Sequence, residues 1–252
     1  MIFKNLSTAH KETGVQRLGT VSLTTKHKKS IKFGELTYSL YLAPAKMSGY
    51  EVCPGRTKEC TALCLNNSGM NRMVMKEDFI NQSRIKKTKL FFEHREYFMD
   101  WLIYEIKLGI KMANQKNMKF SVRLNNTSDI NPRDFYIVEN GVKKNILEIF
   151  PDINFYDYTK VPSRLTLPEK YKNYHLTLSY TGYNLVACMD ALKRGINVAM
   201  VFKIVPNQYM GFDVIDGDIM DMRYHDKKGV IVGLKFKKVR TKLTKNVKFV
   251  IQ

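Results

Sequence analysis

The chain has 252 residues, of which 42 are Lys or Arg and 23 are Asp or Glu, giving a net charge of +19. That length buries a full core as one α/β domain. Its apolar residues form no long charge-free run, which excludes a transmembrane helix, and the opening residues 1–7 are too short and polar for a signal peptide.

Residues 1–33 are polar and are expected to form an N-terminal arm or a short β-ribbon. Residues 36–42, Leu-Thr-Tyr-Ser-Leu-Tyr-Leu, read as a strand. The next segment holds three of the four cysteines, Cys53, Cys60 and Cys64, in a C-x6-C-x3-C pattern. Pro44, Gly49, Pro54 and Gly55 make it a loop. Cys53 and Cys60 lie among Pro, Gly, Arg, Lys and Glu, which is not core company. Thiols gathered on one loop suit a soft metal or an iron–sulfur cluster, and a cytoplasmic setting keeps them reduced. Zinc is the competing occupant, although it usually shows C-x2-4-C spacing and four ligands. Cys188 is either that fourth ligand or a core residue of a helix over 184–192.

Further along, residues 76–115 are expected to be helical, with Phe98, Trp101, Leu102, Glu105 and Ile106 on one mostly apolar stripe. Residues 119–125 alternate and read as a strand. Pro132 is expected to open a helix reaching about residue 150. Strands are expected over 153–159 and 174–180, a helix over 184–194 and a nearly continuous apolar strand over 197–202. Two more strands, over 211–215 and 229–236, give the chain a β-rich C-terminal end. The alternation of strand and helix implies a mainly parallel sheet, in the form of a partial (β/α) barrel or a related arrangement.

In such folds chemistry collects at the carboxyl ends of the strands. Polar residues at those ends are Arg123, Asn125, Ser128 and Asp129, then Asp157, Thr159 and Lys160, then Ser179 and Thr181, then Lys203. Arg123, Asn125, Asp129, Asp157 and Ser179 are the candidate cofactor-binding set. A second candidate is the acidic block 214–226, where Asp216, Asp218, Asp221 and Arg223 are candidate catalytic residues. Asp216 and Asp218 flank a glycine, a spacing that suits a hard cation; the bland reading is a turn with Asp221 paired to Arg223. Basic residues recur at 27–32, at 84–89 and in the tail after Asp226. With the net charge, they point to a polyanion partner, nucleic acid first.

The blocks LYLAPAKMSGYEVCPGRTKECTALCLNNSG, SVRLNNTSDI, FYDYTKVPSR, YHLTLSYTGYN and VIDGDIMDMRYHDKKGVIVGLKFK occur in this order. Through them the chain resembles the phage family named after a mycobacteriophage gene product, number eighty-eight. That resemblance implies a phage or mobile-element origin, hence the host cytoplasm, and a shared cysteine loop. A looser resemblance is to radical S-adenosylmethionine enzymes, which carry three cysteines on the loop after the first strand of a partial barrel. Their usual spacing is C-x3-C-x2-C, and no glycine-rich S-adenosylmethionine motif is visible here. It implies that Cys53, Cys60 and Cys64 hold three irons of a four-iron cluster whose open iron takes S-adenosylmethionine. The resulting expectation is a phage-derived iron–sulfur protein, a radical-type enzyme acting on nucleic acid or a nucleotide. The alternatives are a zinc-stabilised nucleic-acid-binding protein without catalysis and a metal-dependent nuclease.

Overall fold

In this computed structural model the described residues are 2–21, 25–64, 66, 78–237 and 247–252. The chain opens with helix α1 (Leu6–Thr13), strand β1 (Gly19–Thr20) and helix α2 (Thr25–Lys32). Strand β2 (Glu35–Leu40) leads into the cysteine loop and its short helix α3 (Lys58–Ala62). Helices α4 (Phe79–Glu93) and α5 (Arg95–Gln115) precede β3 (Lys119–Arg123). A hairpin, β4 (Tyr136–Glu139) with β5 (Val142–Asn145), and the single turn α6 (Ile146–Ile149) lead to β6 (Asn154–Thr159). Then come α7 (Leu167–Lys170), β7 (Tyr174–Ser179), α8 (Leu185–Lys193) and β8 (Val198–Phe202). The chain ends with β9 (Gln208–Tyr209), β10 (Phe212–Asp216), β11 (Ile231–Lys235) and β12 (Val250–Ile251).

Ten strands form one sheet in the order β1-β2-β3-β6-β7-β8-β11-β10-β9, with β12 also beside β8. All pairs from β2 to β10 along that path are parallel; β1 and β9 join the two edges antiparallel. This is a mixed α/β fold on a mostly parallel sheet, and no pair among the described residues closes it into a barrel. Two expectations need correction. The helix expected over 76–115 is two helices, because His94 leaves the helical region (φ −135°, ψ 59°) between α4 and α5; residue 76 lies outside the described residues. The helix expected from Pro132 to about residue 150 is a 3₁₀ turn, a hairpin and α6. Asn140 and Gly141 both have positive φ, 51° and 76°, the Asn-Gly signature of a two-residue hairpin turn. The N-terminal arm is two helices and one edge strand.

Alternation divides the sheet's faces. Tyr38, Leu40, Val122, Leu124, Phe155 and Tyr174 pack with Phe98, Trp101, Leu102 and Ile106 of α5 in the main core. Leu178, Val198, Met200 and Phe202 pack with Cys188, Ala191 and Leu192 of α8 in a second core. Glu105, buried on α5, accepts from the Leu18 and Gly19 amides, Tyr38 and Trp101 at 2.6–3.0 Å, so its charge is fully bonded. The other face is polar, with Thr37, Ser121, Arg123, Tyr156, Thr177 and Ser179 all buried.

What covers that polar face is the connection from β10 to β11. These strands are parallel, so the chain must return from the carboxyl to the amino end of the sheet. It does so across the polar face. Asp221 bonds Arg123 at the carboxyl end of β3 (2.7 Å), Tyr224 packs on Tyr156 and His175, and His225 Nε2 meets Glu35 Oε2 at 3.1 Å at the start of β2.

A candidate functional site at the carboxyl ends of the strands

The cysteine loop leaves β2 and is tied down by the loop after β3. The Asn126 amide donates to the Leu40 carbonyl, Thr127 Oγ1 to the Leu42 carbonyl (2.6 Å) and the Asp129 amide to the Val52 carbonyl (2.7 Å). The Cys53 thiol donates to the Thr127 carbonyl at 3.8 Å. Arg56 forks onto Glu51, and Thr57 caps α3 by accepting from the Cys60 amide at 3.0 Å. At Gly55 the chain passes so close to β6 that an added Cβ would lie 2.7 Å from the Lys160 carbonyl oxygen. Glycine is required there by close approach.

These contacts place Cys53, Cys60 and Cys64 in the wall of one cavity of about 280 Å³. The same cavity is lined from β3 and its loop by Arg123, Asn125 and Asp129, from β6 by Tyr158 and Lys160, and from β7 by Ser179 and Tyr180. Ala199 and Val201 of β8 close its back, and Asp218, Asp221, Lys235, Phe236, Lys237 and Phe249 complete it from the C-terminal strands. Strands across the parallel sheet therefore present their carboxyl ends to one space, with the three thiols at one side of it.

Burial pushes the Cys53 thiol up to about 12 and raises Cys64 as well, so both are protonated at neutral pH in the metal-free chain. Lys160 opposes this. Burial works against its charge, but Cys60, Asp129, Cys53 and Cys64 hold its ammonium above the usual range. Its Nζ has no hydrogen-bond acceptor among the described residues. Asp129 is held by Thr159 Oγ1, the Lys160 amide and Arg164, at 2.7–2.9 Å. Arg123 stands with its guanidinium 4.7 Å from the Tyr158 ring centre; burial opposes its charge, and Asp221 and the two tyrosines raise it regardless.

The cysteines line one cavity, yet among the described residues no three His, Cys, Asp or Glu side chains converge to hold a single ion. Cys188 is buried in the second core and does not line the cavity. Of the expected cofactor-binding set, Arg123, Asn125, Asp129 and Ser179 do line it; Asp157 lies behind, accepting from the Asn125 amide (2.8 Å) and Nδ2 (3.0 Å). At the end of β6 the sequence reading grouped Asp157 and Thr159 with Lys160. The strand instead offers Tyr158 and Lys160, and the alternate residues turn toward the helices.

The acidic block divides. Asp218 and Asp221 line the cavity, whereas Asp216 and Arg223 do not. Asp216 Oδ1 accepts from the Asp218 amide at 2.8 Å. Asp221 is paired with Arg123, not with Arg223 as the turn reading expected; Arg223 donates to the Asp221 backbone carbonyl and pairs with Asp226 at 3.1 Å. Asp218 Oδ1 meets Lys237 Nζ at 2.9 Å, its Oδ2 accepts from the Lys235 amide at 3.1 Å, and its carbonyl accepts from Lys29 Nζ. Lys29 and Phe249 also line the cavity, and nothing in the sequence marks them as site residues because each reaches it from a distant segment. Lys238 and Arg240 of the basic tail lie outside the described residues.

No helix among the described residues is long and apolar enough to cross a membrane. No curated protein and no solved structure matches the chain. A match to the family described as Gene product 88 runs over residues 8–251 and takes in every strand and the whole cysteine loop. The chain belongs to this phage gene-product family.

Proposed function

We propose that the protein is an iron–sulfur enzyme of radical type, acting on nucleic acid or a nucleotide in the host cytoplasm. In this reading the sheet serves as a partial (β/α) barrel, and Cys53, Cys60 and Cys64 hold the cluster at its mouth. The observation that carries it is the sharing of one cavity by the three thiols and the polar carboxyl ends of the parallel strands.

The residues present fit such a group. Six cationic side chains line the cavity against three carboxylates, which would compensate the charge of three thiolates once a bound group displaces their protons. When bound, a cluster with three cysteine ligands leaves one iron open to S-adenosylmethionine and supplies the electron that begins radical chemistry. The chain's own groups do the rest. Lys160 balances the thiolates, while Asn125, Asp129 and Ser179 offer fixed polar contacts. The Arg123–Asp221 pair forms a rigid polar wall beneath the ligand.

Protein purified anaerobically is expected to be brown and to contain iron with labile sulfide. Cys53→Ser, Cys60→Ser and Cys64→Ser should each lose most of both, and Cys188→Ser neither. Stoichiometric zinc without sulfide, or no iron uptake on reconstitution, would overturn the cluster and favour a zinc-stabilised binding protein.

A further inference from the structure

Asp216 and Asp218 invite a reading as ligands of a hard cation, but their surroundings argue for the opposite charge of ligand. Both Asp218 carboxylate oxygens are taken, one by Lys237 Nζ at 2.9 Å and the other by the Lys235 amide at 3.1 Å. Lys29 Nζ is drawn to the carbonyl of the same residue, from a helix far away in sequence. Asp216 spends its own Oδ1 on the Asp218 amide. Burial works against the Asp218 carboxylate, yet Lys237, the Lys235 amide and Lys29 hold it below the usual carboxylate range. Asp218 therefore draws the Lys237 ammonium to its carboxylate and the Lys29 ammonium to its carbonyl, while its bond to the Lys235 amide fixes the strand end whose lysine also lines the cavity, and the local charge is positive. A divalent cation is repelled there, and an oxyanion is attracted.

Beside this cluster the wall turns aromatic. Phe236 lies between Lys235 and Lys237 in sequence, and it lines the cavity with Phe249 and Tyr180. Every nucleobase has a face that stacks on such side chains. At about 280 Å³ the cavity is at the small end of ligand pockets, too small to admit a duplex.

We propose that Lys29 and Lys237, gathered on Asp218, together with Lys235 on the same cavity wall, bind the phosphate of a single nucleotide whose base enters the cavity against Phe236 and Phe249. This deepens the proposed function, resting on the same cavity as the substrate site. The nucleotide is either free or an unpaired residue of a strand. Asp218 acts as a positioning residue that holds the lysines together, and it does not touch the phosphate.

The test titrates the anaerobically purified 252-residue chain with adenosine monophosphate, adenosine, inorganic phosphate and a short single-stranded oligonucleotide. The other common bases run in parallel. The monophosphate should bind at least about tenfold more tightly than the nucleoside, since charge-assisted bonds to phosphate are the strong ones. Lys29→Gln with Lys237→Gln should remove most of that difference, while Lys193→Gln on the exposed end of α8 should not. Asp218→Asn keeps an oxygen to hold Lys237 and loses the charge that competes with phosphate, so it should keep or raise phosphate affinity; nucleotide binding that requires added Mg²⁺ in the wild type and is lost in this variant would identify a cation site and overturn the proposal. Binding of the mononucleotide supports a free nucleotide, and binding of only the oligonucleotide, lost in the double lysine variant, supports a strand. Equal affinity for nucleoside and monophosphate, no binding of any probe, or an unaffected lysine variant would overturn it. Iron and sulfide measured on the same samples separate this result from the cluster. The lysine variants should keep both, and the cysteine variants should lose iron yet still bind phosphate.

Discussion

At the scale of single residues, the cavity depends on groups behind its wall as much as on those that line it. Asp157 is buried, and burial lifts its carboxyl from 3.8 to about 7, while Arg123 and the two bonds from Asn125 pull the other way. The folded chain therefore prefers this side chain neutral. A carboxyl raised on folding contributes stability that is complete below its unfolded value, near 4, and that is lost as pH rises through its folded value. Wild type should accordingly lose stability relative to Asp157→Asn between about pH 4 and pH 8, by on the order of a few kcal/mol. Urea unfolding of both proteins across that range is the measurement. Parallel profiles would show that Asp157 is charged in the folded state and holds Asn125 as an anion.

At the scale of elements, local pattern was a sound guide wherever local pattern decides. The strands read over 36–42, 119–125, 153–159, 174–180 and 197–202 and the helix over 184–194 lie within a residue or two of β2, β3, β6, β7, β8 and α8. These runs carry strong alternation or a clear cap. In the hairpin of β4 and β5 the Asn140-Gly141 turn overrides the helix start that Pro132 suggests. The cysteine loop was legible as a loop, but not its partner β12, whose two residues find their place only by pairing with β8. Glu59 joins them, accepting from the Phe249 amide and from Tyr183 Oη, both at 2.8 Å. In Glu59→Gln the amide oxygen can keep the Phe249 N–H only if the amide nitrogen donates to Tyr183 Oη, so two charge-assisted bonds become weaker neutral ones. The C-terminal strand should then open more often. Alkylation of Cys60 and Cys64 in metal-free protein at fixed pH should speed up several-fold, as read by mass spectrometry. An unchanged rate would mean that Glu59 does not hold the strand over the thiols.

At the scale of the whole molecule, the net charge of +19 and the cavity answer different questions. The charge sets a long-range field that draws any polyanion, and the cavity admits only what fits. Lys235 and Lys237 belong to both, since they line the cavity and stand at the end of β11. If about four phosphates are neutralised, affinity for duplex DNA should fall with salt along a log–log slope near −3.6. A single strand should show a shallower slope, near about −2.8, because its counterion atmosphere is thinner. If an unpaired nucleotide also enters the cavity, the single strand gains a stacking contribution that salt does not screen. The two curves should then separate as salt rises, with the single strand retaining more affinity. A fluorescent oligonucleotide titrated from low to moderate salt reads both slopes. The variant with Lys235, Lys237, Lys238 and Arg240 all changed to Glu should flatten the duplex curve and abolish the separation. A flat response in the wild type would mean that the lysines are a solvated face. Equal retention of both nucleic acids would mean that the field acts alone and the cavity takes a small molecule instead.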